Sequence, residues 1–173
     1  VTAEAAVGSR RSRAVPLAAG ALLLLVLVVG LKTWVAEPFA IPSESMAPTL
    51  RPGDHVLVEK LSYRFGSPHR GDLVVFKAPD GSSLAVKRVV GLAGDRVAIE
   101  DGVLAVNGHR EKEAYVDQSQ VDSVYFGPVV VPRGDVFVLG DNRADSHDSR
   151  DYGAVPRKSL IGRVLVTLWP LFR

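Results

Sequence analysis

A mainly β domain preceded by one N-terminal helix is the architecture this sequence predicts, on three observations. Residues Ala14 to Leu31 are 18 consecutive positions without a charge. Gly-Asp then recurs at Gly53-Asp54, Gly71-Asp72, Gly94-Asp95 and Gly134-Asp135, each soon followed by a run of branched apolar residues. Beyond residue 36 no long stretch carries apolar side chains at helical spacing.

Composition narrows the function classes. At 173 residues the chain suits one domain plus a small accessory part, and part of its 47% hydrophobic content belongs to the single apolar run. The absence of cysteine excludes thiol nucleophiles, disulfides and thiolate metal sites, and leaves the compartment open. Residues 1–31 carry Arg10, Arg11 and Arg13 against Glu4, 3 − 1 = +2, so the remaining 18 basic and 18 acidic residues balance. With no basic stripe, nucleic acid is not an expected partner.

Residues 1–13 read as a disordered basic tail on the cytoplasmic side. Residues 14–36 read as a transmembrane anchor, long enough to cross a bilayer as one helix. Trp34 and Phe39 fall where interfacial aromatics belong, and the arginines orient the N-terminus inside and residues 37–173 outside. A cleaved secretory signal fits poorly, because Trp34 precedes Ala36 and Pro38 precedes Ala40 at the small-x-small positions. A buried soluble helix fits poorly too, since a helix apolar all round needs more chain to cover it.

In the outer part, each Gly-Asp is read as a turn leading into a strand: 56–58, 73–76, 97–99 and 136–139. Asp101-Gly102 between Val97–Ile99 and Val103–Val106 predicts a type I′ hairpin, and Asn107-Gly108 a further turn. Residues 109–127 are polar and aperiodic and are expected to form a mobile excursion. Strand composition returns at Arg163–Leu168. The aromatic end, Trp169 to Phe172, reads as core or edge packing, with resting on the lipid surface as the other reading.

The stretch Ile41-Pro-Ser-Glu-Ser-Met-Ala-Pro-Thr-Leu50 carries the chemistry. Pro42 and Pro48 stiffen it, and an exposed loop bearing Ser43 and Ser45 is expected. A linker accounts for Ser and Pro but not for Met46 and Leu50. A serine becomes a nucleophile only beside a base. His55, His69 and His109 read as surface residues, whereas His147 lies in the polar stretch Gly140 to Arg150. That stretch has neither calcium-loop spacing nor a second histidine at zinc spacing, so no metal is expected. Lys87, in the otherwise apolar strand 83–90, is the other candidate: Lys87 and Arg88 must face opposite ways, and burial would lower the lysine pKa towards a useful base. An edge-strand lysine reaching into water is the competing reading.

Taken together, the chain resembles the bacterial type I signal peptidases, membrane-anchored endopeptidases with a Ser-Lys dyad. The motifs that carry the resemblance run from Ile41–Leu50 through Arg51–Lys60 and Val86–Asp95 to Gly140–Arg143 with Ser146, Asp148, Ser149 and Arg150. It implies a signal-peptidase-like β-fold, with Ser45 as nucleophile and Lys87 as general base. It further implies that Ser43 completes an oxyanion hole with the Ser45 N–H, that Ser146 orients Lys87, and that Arg88, Asp141, Arg143, Asp148 and Arg150 brace the site. No cofactor is implied.

The expected substrate is the signal peptide of an exported preprotein, cut after small-x-small (Ala-x-Ala) sites and bound as an extended strand near Phe39 to Pro42 and Ser83 to Val86. Ile41, Met46, Leu50, Val56, Ala85 and Val86 are the expected pocket walls. The implied location is the bacterial plasma membrane, single-pass, in contact with the lipid bilayer and near the secretion translocon. Glu44 stands where some family members have glycine and others this same glutamate, Ala144, Asp145 and His147 differ from the best-known pattern around Ser146, and one span is visible where some relatives have two. A silent peptide-binding β-domain and a self-cleaving repressor-type protease are the alternatives. The first has no use for all of Ser43, Ser45, Lys87 and Ser146, and the second is not expected to carry an anchor.

Overall fold

The computed structural model describes residues 14–79, 81, 83–121 and 125–169, apart from the side chains of 14–17, 31–34 and 120. The expected basic tail and the end at 170–173 lie outside these residues. The first helix, α1 (Ala14–Trp34), is 21 residues long. From Leu22 to Val29 its side chains are 43% to 72% exposed, so it is not a helix buried in the domain. Among the described residues no helix is long and apolar enough to cross a membrane. The part of α1 with described side chains, 18–30, spans about 20 Å at 1.5 Å per residue.

The chain then forms β1 (Ala36–Ala40), β2 (His55–Glu59), a one-turn helix α2 (Ser62–Phe65), β3 (Leu73–Lys77) and β4 (Leu84–Leu92). Four strands follow, β5 (Arg96–Glu100), β6 (Val103–Val106), β7 (His109–Arg110) and β8 (Phe126–Val130), and then β9 (Asp135–Leu139). The short helix α3 (Ser149–Tyr152), β10 (Val155–Pro156) and β11 (Leu160–Trp169) complete it. One sheet runs β1-β2-β11-β3-β4-β9-β10 and the other β7-β6-β5-β8. The fold is mainly β, as expected.

The Gly-Asp repeats have a common construction. At Asp54, Asp72, Asp95 and Asp135 the backbone N–H donates to the carbonyl three residues earlier, while the preceding glycine has φ of +85°, +92°, +88° and +83°. That is the turn class with glycine at its third position. In the first three, the aspartate carboxylate also accepts the N–H three residues back, from Arg51, His69 and Leu92. A turn closed from both sides delivers the chain into a strand. The Asp101-Gly102 hairpin has φ of +54° and +75° at its two central residues, the type I′ signature.

Two elements differ from the sequence expectation. Ala36 to Ala40 is not anchor and loop but an edge strand, paired with β2 from Ala36↔Glu59 to Ala40↔His55. Its partner lies some twenty residues on, beyond the reach of local pattern, and Pro38 is compatible with an edge. Within 109–127, Glu113 and Val116 are buried. That segment is in part a packed wall of the site.

Three apolar clusters hold the domain. Val74, Phe76, Val89 and Val138 centre one face of the large sheet. Val97, Val106, Phe137 and Leu139 join the two sheets. Ile41, Met46, Leu50, Val56, Val58, Val75 and Val86 form the third, which draws the serine-bearing loop inwards.

Candidate active site

The 41–50 loop is packed, where an exposed loop was expected. Ile41, Met46 and Leu50 are 3%, 1% and 3% exposed, and each removes apolar surface from water at roughly 25 cal/mol per Å². Its backbone is tied down as well: Ile41 N–H donates to Asp54 O, Gly53 N–H to Ile41 O and Leu50 N–H to Met46 O. A single 3-10 turn, Glu44–Met46, therefore carries Ser45 at the loop's inner side, 8% exposed, while Ser43 stays at the surface.

Lys87 reaches the same point from β4. It lies opposite Val74 on β3, is 5% exposed, and its Nζ donates to Ser45 Oγ at 2.6 Å. Burial is the largest influence on the ammonium and pushes its pKa below the ordinary lysine range. The negative charge of Asp148 pushes it back up, and the positive charge of Arg150 lowers it. Arg88, the next residue, points the other way, as strand alternation requires. It grips Asp141 through Nε–Oδ1 at 2.8 Å and Nη2–Oδ2 at 2.6 Å, and lies over the Tyr115 ring at 3.8 Å from its centroid.

The polar stretch after β9 closes the site. Asn142 N–H donates to Ser45 O at 3.2 Å, and its Nδ2 donates to Glu44 O at 3.3 Å. Gly140 has no substitute here, because a Cβ at that position would run into Ser146 Oγ and the Ser45 carbonyl oxygen. Asp148 is fully buried and accepts from Gly140 N–H, Ser146 Oγ, Arg150 N–H and both Nε and Nη2 of Arg150. With Asp151 it forms a capping box on α3. Arg143 donates to Gly140 O and to the buried carboxylate of Glu113. Arg88, Asp141, Arg143, Asp148 and Arg150 are thus all bracing residues. Glu113 and Tyr115, which brace with them, gave no signal in their aperiodic segment, and neither did Thr49, which donates to Asp141.

Ser43 Oγ lies 3.1 Å from Ser45 Oγ. It precedes the 3-10 turn in extended backbone, and its side chain does not cap that turn but shares a hydrogen bond with the Ser45 hydroxyl. Ser146 is beside the pair but differs from expectation: its hydroxyl donates to Asp148 Oδ2 at 2.8 Å, and among the described residues no hydrogen bond joins it to Lys87. A fully buried carboxylate is the stronger acceptor, so the hydroxyl turns to it.

A cleft of about 500 Å³ opens over Ser45 and Lys87. Ile41, Pro42, Met46, Ala85 and Val86 line it as expected. Leu50 and Val56 do not; they lie in the apolar cluster beneath, and Phe39 packs against that cluster from β1. Strand alternation explains Val56, which faces inward with Val58. Ala78, Pro79, Leu84, His147 and Tyr152 also line the cleft, the last two because the polar stretch folds back over it. His147 remains largely exposed, 3.3 Å from Asp151. Along this cleft β4 has an open edge: it pairs with β3 from Leu84 to Arg88, but with β9 only from Arg88 onward. Among the described residues no cluster of three or more His, Asp or Glu is arranged to hold a metal.

Comparison with known proteins identifies the family. The family described as signal peptidase, peptidase S26, matches residues 15–169. The chain is 44% identical over 159 residues to signal peptidase I of Leptolyngbya laminosa, covering 87% of this chain and 77% of that one. It is 35% identical over 219 residues to signal peptidase I of Mycobacterium tuberculosis, covering 94% and 74%. The crystal structure of a signal peptidase I from Enterococcus faecalis superposes with a TM-score of 0.50 at 33% identity, covering 58% of this chain and 97% of that one. The chain belongs to the peptidase S26 family of signal peptidases and is a hydrolase. Its activity is that of a signal peptidase I, the removal of signal peptides.

Proposed function

We propose that this enzyme cuts exported preproteins after small-x-small sites through a Ser45 nucleophile and a Lys87 general base. The observation that carries the reading is the 2.6 Å contact between Lys87 Nζ and Ser45 Oγ, both buried at the floor of an extended cleft. In its neutral form Lys87 accepts the Ser45 proton along that line as Oγ attacks the scissile carbonyl. The developing oxyanion is met by the Ser45 N–H, which lies in the first turn of a helix without an intrahelical acceptor, and by the Ser43 hydroxyl. The lysine returns its proton to the leaving amine, and water, activated by the same lysine, hydrolyses the acyl-enzyme.

The open edge of Leu84–Val86 supports binding of the substrate as an added strand. Small cleft walls at Ala78 and Ala85, closed by Ile41, Met46 and Val86, suit alanine-sized side chains. Asp148 opposes through its charge the lowering that burial imposes on Lys87, and Ser146 donates to Asp148 rather than to the lysine. The reading includes an anchor at α1, Ala14–Trp34, since an apolar helix that its own domain leaves uncovered needs another apolar surrounding. With the basic tail inside, the domain lies on the outer face of the plasma membrane beside emerging preproteins, near the translocon.

The test is cleavage of a preprotein bearing an Ala-x-Ala site by the wild type, Ser45→Ala and Lys87→Ala in lipid. Cutting after the second alanine by the wild type alone, with all three proteins folded, is expected. Normal cutting by Lys87→Ala would transfer the base role to another group, His147 first.

A further inference from the structure

His147 and Tyr152 line the cleft but take no part in the chemistry of Ser45 and Lys87. Their place follows from how β4 meets its neighbours. Ala85 lies opposite Phe76 and Lys87 opposite Val74, and Phe76 and Val74 belong to the apolar cluster on which Ala85 and Tyr152 pack. Val86 lies opposite Val75, and both belong to the other cluster, with Ile41 and Met46. The open edge of β4 thus separates two faces, as strand alternation requires. The cleft reaches both, since Ile41 and Val86 line it on one face and Ala85 and Tyr152 on the other.

A substrate strand added at that edge alternates in the same way. The two small residues of a small-x-small site point to one face, and x, between them, points to the other. Ile41, Met46 and Val86 close the face that takes the small residues. On the opposite face Ala85 contributes only a methyl group and leaves space beside two rings.

Those rings are held in place. Tyr152 ends α3 and packs on the core cluster. His147 meets it edge to face, with centroids 5.2 Å apart and planes at 73°. His147 Nδ1 lies 3.3 Å from Asp151 Oδ2, which also accepts the Asp148 N–H at 2.9 Å. The His147 side chain is still 79% exposed, so a ligand can cover it. The Tyr152 hydroxyl is buried and has no hydrogen-bond partner among the described residues. What the pair offers the cleft is therefore ring surface.

We infer that Tyr152 and His147 form a subsite for the middle residue of the small-x-small sequence and select an aromatic side chain there. The inference rests on the reading of this cleft as the groove for an added strand. An aromatic guest adds a third ring to an edge-to-face pair, a contact that apolar bulk alone does not give.

The test uses the full chain in detergent and two peptides that differ only at x, Ala-Phe-Ala and its cyclohexylalanine analogue. The wild type should cut the phenylalanine peptide with a kcat/KM roughly 2- to 12-fold above the other, the range of one ring contact. His147→Leu and Tyr152→Leu should each bring that ratio towards one, while Tyr152→Phe keeps it. Each ratio is taken within one protein, so the fraction folded cancels. A wild-type ratio at or below one overturns the inference, as does a ratio that either leucine variant leaves unchanged. Loss of the preference in Tyr152→Phe overturns it in favour of a role for the hydroxyl. Cutting of neither peptide, or at another bond, overturns the cleavage reading and this inference with it, whereas correct cutting without preference overturns the inference alone.

Discussion

Replacing Asp148 by asparagine separates the two duties the structure gives this carboxylate. Asparagine keeps the shape and one acceptor oxygen, but it removes the charge that faces Arg150 at 2.9 Å and 3.0 Å in a group with no exposure. Breaking a buried pair in this way costs about 3 to 5 kcal/mol. Arg150 keeps 15% of its side chain in contact with water, so the lower end, about 3 kcal/mol, applies. For a protein of this size that is a fall in Tm of roughly 6 to 12 °C. The second duty is electrostatic. Burial is the main influence lowering the Lys87 pKa, Asp148 opposes it, and Arg150 adds to it. Deleting the negative charge while keeping the positive one drives the lysine pKa further down. The rising limb of kcat/KM against pH should therefore move to lower pH in Asp148→Asn, although the protein is less stable. The assay is peptide cleavage across pH in detergent below the unfolding range, beside thermal unfolding of the same samples. A limb that stays in place or moves to higher pH would refute the electrostatic argument, and a Tm within about 2 °C of wild type would refute the buried-pair argument.

Other consequences are equally direct. Lys87→Met should abolish cleavage while stabilising the fold increasingly as pH falls. The folded wild type must release a proton that the unfolded chain retains between the depressed pKa and the ordinary lysine pKa, so the wild type loses stability as pH falls through that window, and the methionine does not; urea unfolding of both proteins at several pH values checks the sign. Ser43→Ala should lower kcat roughly 100- to 1000-fold with little change in KM, read by steady-state kinetics, if its hydroxyl serves the oxyanion. Gly140→Ala should inactivate the enzyme and cost about 1 to 3 kcal/mol, because the added methyl displaces Ser146 or the Ser45 carbonyl; an active, stable variant would show that the two segments can part.

The elements that sequence determined are those set by neighbours along the chain. A glycine that accepts positive φ, followed by an aspartate whose carboxylate reaches three residues back, makes a turn wherever it occurs, so three of the four Gly-Asp repeats closed alike and the fourth kept the backbone bond. The Asp101-Gly102 hairpin and the opposite facing of Lys87 and Arg88 follow from the same local rules. Met46 and Leu50 hinted that the serine loop is packed, but only the apolar cluster beneath decided how far in Ser45 sits.

Tertiary structure alone decided which groups meet. Ser45 and Lys87 stand 42 residues apart and touch because a loop and a strand share one apolar floor. Glu113 finds Arg143, and Tyr115 finds Arg88, through a segment with no period to read. Ser146 turned to Asp148 rather than to Lys87, since a buried carboxylate accepts more strongly than a neighbouring amine competes for the same hydroxyl. Turn chemistry depends on a residue's own torsions and is written in the sequence. Pairing depends on which faces the sheet brings together, and that is settled only when the strands have taken their order.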